Sequence, residues 1–274
     1  MAEAEHVILL PTRQELLGVK ANIGPAYPFL ERLTLDMYHV KYDFDGDLPA
    51  GGTSPGKFEI NTNNSGTLII LADQTNGIGR LSTIGSTTND YCNLTLPELN
   101  CQPQLSCTMA VRLAVTSVDD CKVEVGFTYL TTNTSVINVL TTPSFTGTTS
   151  NNSAVWVFDT NDSGNSDKWQ AVSCKAGVVA TEGKIEPSSL NATYPSAGIF
   201  QTLIVALFAD SDTQHAKYFI LDANGYKAYE SAWTSAAITY NDNLSPWVGV
   251  TTRTSTLKTV DIDYIEVWQR RTVT

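Results

Sequence analysis

From Tyr42 to the C-terminus the chain is a succession of short β-type runs separated by polar turns, and no stretch sustains an apolar period of 3.6. Residues 57–60 and 66–71 are the first such runs. Residues 108–115 alternate as a half-buried strand, Asp119-Asp120 marks a turn, and residues 122–129 alternate again. The same grammar returns at residues 154–158, 169–174 and 202–210. Residues 217–229 form the strongest local signal, two strands joined through Asn224-Gly225, the pair that suits a type I′ hairpin turn. Residues 246–252 and 260–268 close the series. In the last run Val260, Ile262, Tyr264 and Glu266 are expected on one face and Asp261, Asp263, Ile265 and Val267 on the other, with a bulge or edge position near Glu266. Residues 131–153 read as a strand with long surface loops. Many alternating strands with polar turns between them predict an all-β fold, an antiparallel jelly-roll β-sandwich over residues 41–274. Trp156 and Trp169 lie within strand patterns and are expected in its core.

Charge narrows the partners. The chain has 274 residues, 17 basic and 28 acidic side chains, a formal charge of −11, and only 16% charged residues. Thr, Ser, Asn and Gly take the place of charge, which suits exposed strands and turns. Phosphate neutralisation needs clusters of Lys and Arg, and the densest basic spot is Arg270-Arg271, so nucleic acid is not expected as a partner. No long apolar stretch suggests a membrane. The five cysteines (Cys92, Cys101, Cys107, Cys121 and Cys174) contain no C-x-x-C pair and the three histidines are scattered, so no zinc site is expected. The apolar run Val7, Ile8, Leu9, Leu10 is too short for a secretory signal, which points to folding in a reducing cytoplasm. No cofactor is implied.

Residues 1–40 differ from the rest and read as an N-terminal extended or helical arm. A short helix is expected over residues 11–19, with Thr12 as N-cap, Glu15 three residues on and Gly18 as a stop. Val7, Ile8, Leu9, Leu10, Leu16, Leu17, Phe29 and Leu30 are its apolar anchors. Two readings stay open: the segment covers a sheet edge of its own domain, or it reaches a neighbouring molecule.

The runs Lys168-Trp169-Gln170-Ala171-Val172, residues 216–225, Trp247-Val248-Gly249-Val250 and residues 260–267 together resemble the concanavalin A-like jelly roll of lectins, laminin-G domains and glucanases. In that family a W-x-x-V strand, a hairpin of the form Y-x-x-x-D-x-N/G and a closing D-x-D-x-I-x-V strand recur. The resemblance covers about residues 105–270, and its motifs reflect strand packing. It implies a sandwich fold and leaves three functions, since the family includes enzymes, lectins and structural modules.

Glucanases of this fold carry an E-x-D-x-E strand, which this chain lacks. Asp261, Asp263 and Glu266 come nearest, on the closing strand, and read as edge carboxylates that discourage strand pairing. A glycoside hydrolase is therefore disfavoured. For a lectin the candidate stacking residues are Trp233 and Tyr240, which flank Ser/Ala/Thr loops. The metal loop of legume-type lectins is not recognisable, and Asp159, Asp162 and Asp167 are only weak candidates for a hard cation.

The composition is similar in style to bacteriophage head and tail proteins. This resemblance implies a non-enzymatic virion structural protein, a capsid decoration or cement protein assembled in the host cytoplasm. It would bind the major capsid protein through residues 1–40 and itself as a homotrimer. A carbohydrate-binding or receptor-binding tail module of the same fold is the alternative.

Overall fold

A computed structural model of the chain describes residues 37–44, 58–71, 77–96, 101–129, 136–140, 145–148, 152–161, 168–176, 178–185, 194–210, 213–235, 237–239 and 242–270. These form two antiparallel sheets packed face to face. The first, sheet A, runs in the order β15 (Lys227–Glu230), β14 (Thr213–Leu221), β13 (Gln201–Asp210), β6 (Cys107–Val115), β18 (Thr259–Arg270), β4 (Gly79–Ser82) and β3 (Thr67–Ile70). To it are added β1 (Met37–Tyr42) on β18 and β16 (Thr234–Ser235) on β14. Sheet B runs β12 (Val178–Ile185), β11 (Gln170–Lys175), β10 (Ser153–Asp159), β7 (Cys121–Thr128), β17 (Ser245–Thr252), β5 (Tyr91–Thr95) and β2 (Glu59–Thr62). The two-sheet, antiparallel sandwich expected from the strand grammar is what the chain builds. Among the described residues no helix is long and apolar enough to cross a membrane.

Alternation along each strand supplies the core, because successive side chains point to opposite faces. Val123, Val125 and Phe127 of β7, Trp156 and Phe158 of β10, and Val248 and Val250 of β17 meet Met109 and Val111 of β6, Leu203 and Val205 of β13, and Ile265 and Val267 of β18. Polar atoms stitch the layers. Trp156 Nε1 donates to the Ile204 carbonyl at 3.1 Å, Trp169 Nε1 donates to Gln201 Oε1 at 3.0 Å, and the Tyr218 hydroxyl donates to the Val172 carbonyl at 3.0 Å. Each bond joins one sheet to residues of the other, so it sets how the sheets face as well as how far apart they lie.

Several sequence expectations are corrected. Strand β6 is not half-buried: eight of its nine residues are buried, so side chains on both of its faces are shielded. The hairpin between β14 and β15 is not a two-residue type I′ turn. Residues 222–226 form its loop: Gly225 N donates to the Asp222 carbonyl, and only Gly225 adopts positive φ, at 83°. Type I′ requires positive φ at both central residues. Here Asp222 Oδ1 accepts the amides of Asn224 and Tyr226, which ties a wider loop with a register shift at its base. In β18 the irregularity falls between Ile262 and Tyr264, ahead of Glu266, and it reverses the facing of everything after it. Ile265 and Val267 therefore turn inward with Val260 and Ile262. Nor is β18 an edge, since it lies between β6 and β4 and also carries β1. Residues 131–153 hold two short strands, β8 (Ile137–Leu140) and β9 (Phe145–Thr148), paired as a separate ribbon.

Residues 37–40, which the sequence reading put in the arm, are strand residues of sheet A, with Met37 opposite Arg270 and His39 opposite Trp268. The anchors Val7, Ile8, Leu9, Leu10, Leu16, Leu17, Phe29 and Leu30, and the helix expected over residues 11–19, lie outside the described residues.

All five cysteines are buried and none forms a disulfide. Burial pushes the Cys92 and Cys121 thiols up to about 12. In the unfolded chain such thiols ionise near roughly 8.5. Below that value both states keep the proton and the stabilisation is complete. Above it only the unfolded chain releases the proton, so stability is lost as pH rises towards about 12. Each thiol adds a slope of about 1.4 kcal/mol per pH unit in that window. Urea midpoints should therefore be flat from about pH 7 to about pH 8.5 and fall beyond it. A midpoint that holds level to about pH 11 contradicts this assignment.

Candidate functional site

One end of the sandwich opens into a cavity of about 410 Å³ lined by Val118, Asp119, Asp120, Phe158, Thr160, Tyr194 and Pro195. Three segments far apart in sequence build it: the β6–β7 turn, the end of β10 and the residues leading into β13. The turn is held by backbone bonds. Thr116 N and Oγ1 donate to the Thr259 carbonyl, and Asp119 N donates to Ser117 Oγ. Asp120 takes a left-handed φ of 50°, which a short polar side chain tolerates, and its carbonyl accepts Arg253 N at 2.7 Å. The end of β10 is clamped to the start of β7, with Thr160 N donating to the Cys121 carbonyl and Cys121 N to Thr160 Oγ1, both at 3.0 Å. The Thr160 hydroxyl proton stays available.

The third wall is Tyr194. Its carbonyl accepts Gln201 Nε2 at 3.3 Å, and Lys168 Nζ sits 5.6 Å from its ring centroid. Beneath it Phe158 is fully buried against Trp169, ring centroids 5.7 Å apart. Both aspartates are exposed, and among the described residues neither carboxylate has an ion-pair partner. The cavity thus combines aromatic carbon, one free hydroxyl proton and two hydrogen-bond-accepting carboxylates.

Five other described carboxylates are engaged. Asp159 is fully buried; its Oδ1 accepts Arg253 Nε at 2.9 Å and Asn161 N at 3.1 Å, and its Oδ2 pairs with Arg253 Nη2. This commits to protein donors the lone pairs that a cation would need. Asp162 and Asp167 lie outside the described residues. On β18, Asp261 takes both Nε and Nη2 of Arg80, at 2.6 and 2.8 Å, Asp263 pairs with Arg112, and Glu266 Oε1 lies 2.6 Å from His39 Nε2. The reading of these three as edge carboxylates is corrected: Asp261 and Asp263 each neutralise an arginine from a flanking strand, and Glu266 bonds the imidazole of His39. The outer face of β7, central in sheet B, carries Lys122 and Glu124, paired at 2.7 Å and almost wholly buried.

Trp233 is half-buried rather than displayed. Its ring packs against Phe208 and His215, with centroids 6.0 and 6.4 Å away, and Lys217 Nζ lies 5.4 Å over it. Tyr240 lies outside the described residues. The sequence reading missed Tyr194 and took Asp119-Asp120 only as a turn. No local motif marks them, because the site exists only once three loops converge.

Comparison with known structures fits this architecture. A protein of unknown function from Shewanella oneidensis MR-1 superposes with a TM-score of 0.58 at 16% sequence identity, over 93% of this chain and 98% of that one. Peanut lectin superposes with a TM-score of 0.51 at 8% identity, over 85% and 97% of the two chains. A seed lectin of Lotus tetragonolobus gives 0.50 at 12% identity, over 86% and 100%. No family model matches the chain, and no curated protein matches its sequence. The chain has the concanavalin A-like jelly-roll fold of the legume lectins.

Proposed function

We propose that this chain is a non-catalytic carbohydrate-binding module and that the Tyr194 cavity is its binding site. The observation that carries the reading is the pairing, in one open cavity, of an aromatic wall with two carboxylates that no described cation neutralises. Saccharides need this combination. Their C–H faces pack on aromatic rings, and their hydroxyls donate to ionised carboxylates in charge-assisted bonds. The ligand class follows from charge. Two unpaired carboxylates on a chain of net charge −11 repel uronates, sialates and sulfated sugars, so neutral saccharides are favoured. A lectin-type sandwich supports the reading as analogy only.

In this reading Asp119 and Asp120 act as hydrogen-bond acceptors for the ligand, and five other described carboxylates are already committed. Glycoside hydrolysis uses two carboxyl groups flanking the bond. Glu124, Asp159, Asp261, Asp263 and Glu266 are each held by a cationic side chain or His39. Attachment to a viral shell, the other expectation from the sequence, rests on residues outside the described set and is not required here.

The test is a glycan array followed by titration of the best neutral hit. Tyr194→Ala should weaken binding by about tenfold, the loss of one stacking contact. Asp119→Asn with Asp120→Asn should weaken it by roughly 10- to 100-fold, the loss of charge-assisted bonds. An array without a neutral hit, or affinity indifferent to both changes, refutes the reading.

A further inference from the structure

We infer that the outer face of sheet A is a docking groove for residues 1–36 of the same chain. The face is apolar where a two-layer sandwich has no reason to make it so. The registers Ala110–Ile204–Phe219 and Trp268–Thr108–Ala206 run across β18, β6, β13 and β14 on the side turned away from sheet B. Small residues make the floor of this strip, Ala110 and Ala206. Trp268 with Tyr264 stands along one side and Phe219 with Trp233 along the other. Ala206 is 0%, Ile204 1%, and Trp268 and Phe219 each 3% exposed. Sheet B covers the opposite face, so it does not produce this burial, and none of the described strands forms a third layer over the strip.

Chain geometry selects the occupant. The described chain begins at Met37, on β1, and His39 stacks on Trp268 with ring centroids 5.4 Å apart and planes 5° from parallel. The first described strand therefore lies at the rim of the strip. From β1 to β14 is four interstrand steps, ~19 Å at the usual spacing, which about six extended residues span. The 36 residues available exceed that several times over, and they carry Val7, Ile8, Leu9, Leu10, Leu16, Leu17, Phe29 and Leu30 as apolar side chains. A tethered segment also competes at an effective concentration on the order of millimolar, which a second copy at micromolar concentration does not match.

The test uses the full chain with Phe29→p-benzoylphenylalanine, and separately Phe219→p-benzoylphenylalanine. Each is irradiated as an equal mixture of isotopically light and heavy protein at about 1 µM, where the tether favours intrachain contact by roughly 1,000-fold. Crosslinks within one chain, from Phe29 to peptides bearing Trp268 or Ile204 and from Phe219 to residues 1–36, are expected. Mixed light–heavy crosslinks from Phe219 would give the groove to a second copy and overturn the inference. So would products from which residues 1–36 and the sheet A peptides are absent in both variants.

Discussion

Lys122→Met is expected to lower the free energy of unfolding by about 3–5 kcal/mol, a large share of the 5–15 kcal/mol of an ordinary domain. The reason is the company that the ammonium keeps. Lys122 and Glu124 are 1% and 2% exposed, their side chains pair at 2.7 Å, and Lys122 sits opposite fully buried Asp159 in the β-ladder. Burial pulls the Lys122 pKa down, against the opposing attraction of Glu124 and Asp159. The ion's own desolvation thus offsets its attraction, and the pair adds little by itself. What the substitution exposes is a Glu124 carboxylate left buried without its cation. Adding Glu124→Gln removes that charge and keeps an acceptor for Val136 N, which now donates to Glu124 Oε2 at 3.0 Å. The double variant should regain most of the loss. Guanidinium denaturation at about pH 7 reads both, and a single variant within about 1 kcal/mol of the parent contradicts the account.

Trp156→Ala should cost a similar amount, about 3–5 kcal/mol, because the indole is fully buried between the sheets. It meets Tyr218 and Tyr229 edge-on, at centroid distances of 5.5 and 5.8 Å. Trp156→Phe isolates the polar part. It keeps an aromatic ring but removes the donor to the Ile204 carbonyl, and should cost about 1–3 kcal/mol. If the Phe variant melts with the parent, the intersheet hydrogen bond has no role in stability.

The fold was legible in the sequence wherever burial has a period of two. Trp156 and Trp169 read as core residues from their strands alone, and both are fully buried. Local pattern failed where the backbone breaks its own period. The extra residue between Ile262 and Tyr264 exchanges the faces of β18, which no hydropathy pattern announces. Alternation also understated β6, because its outward Ala110 is buried among Ile204, Ala206 and Trp268, side chains of neighbouring strands remote in sequence. Asn224-Gly225 marked the turn correctly but not its type, since Asp222 captures two amides and widens the loop. The candidate site was the least legible part. Asp119, Thr160 and Tyr194 belong to three separate connections, and each by itself is an ordinary loop residue.

The most direct test of the binding assignment is backbone amide NMR of the isotopically labelled chain, titrated with a neutral oligosaccharide. The account predicts the largest shifts at Asp119, Asp120, Thr160 and Tyr194, saturating with the affinity found by titration. Shifts centred instead on Trp233 and His215, with those four amides unmoved, would contradict it.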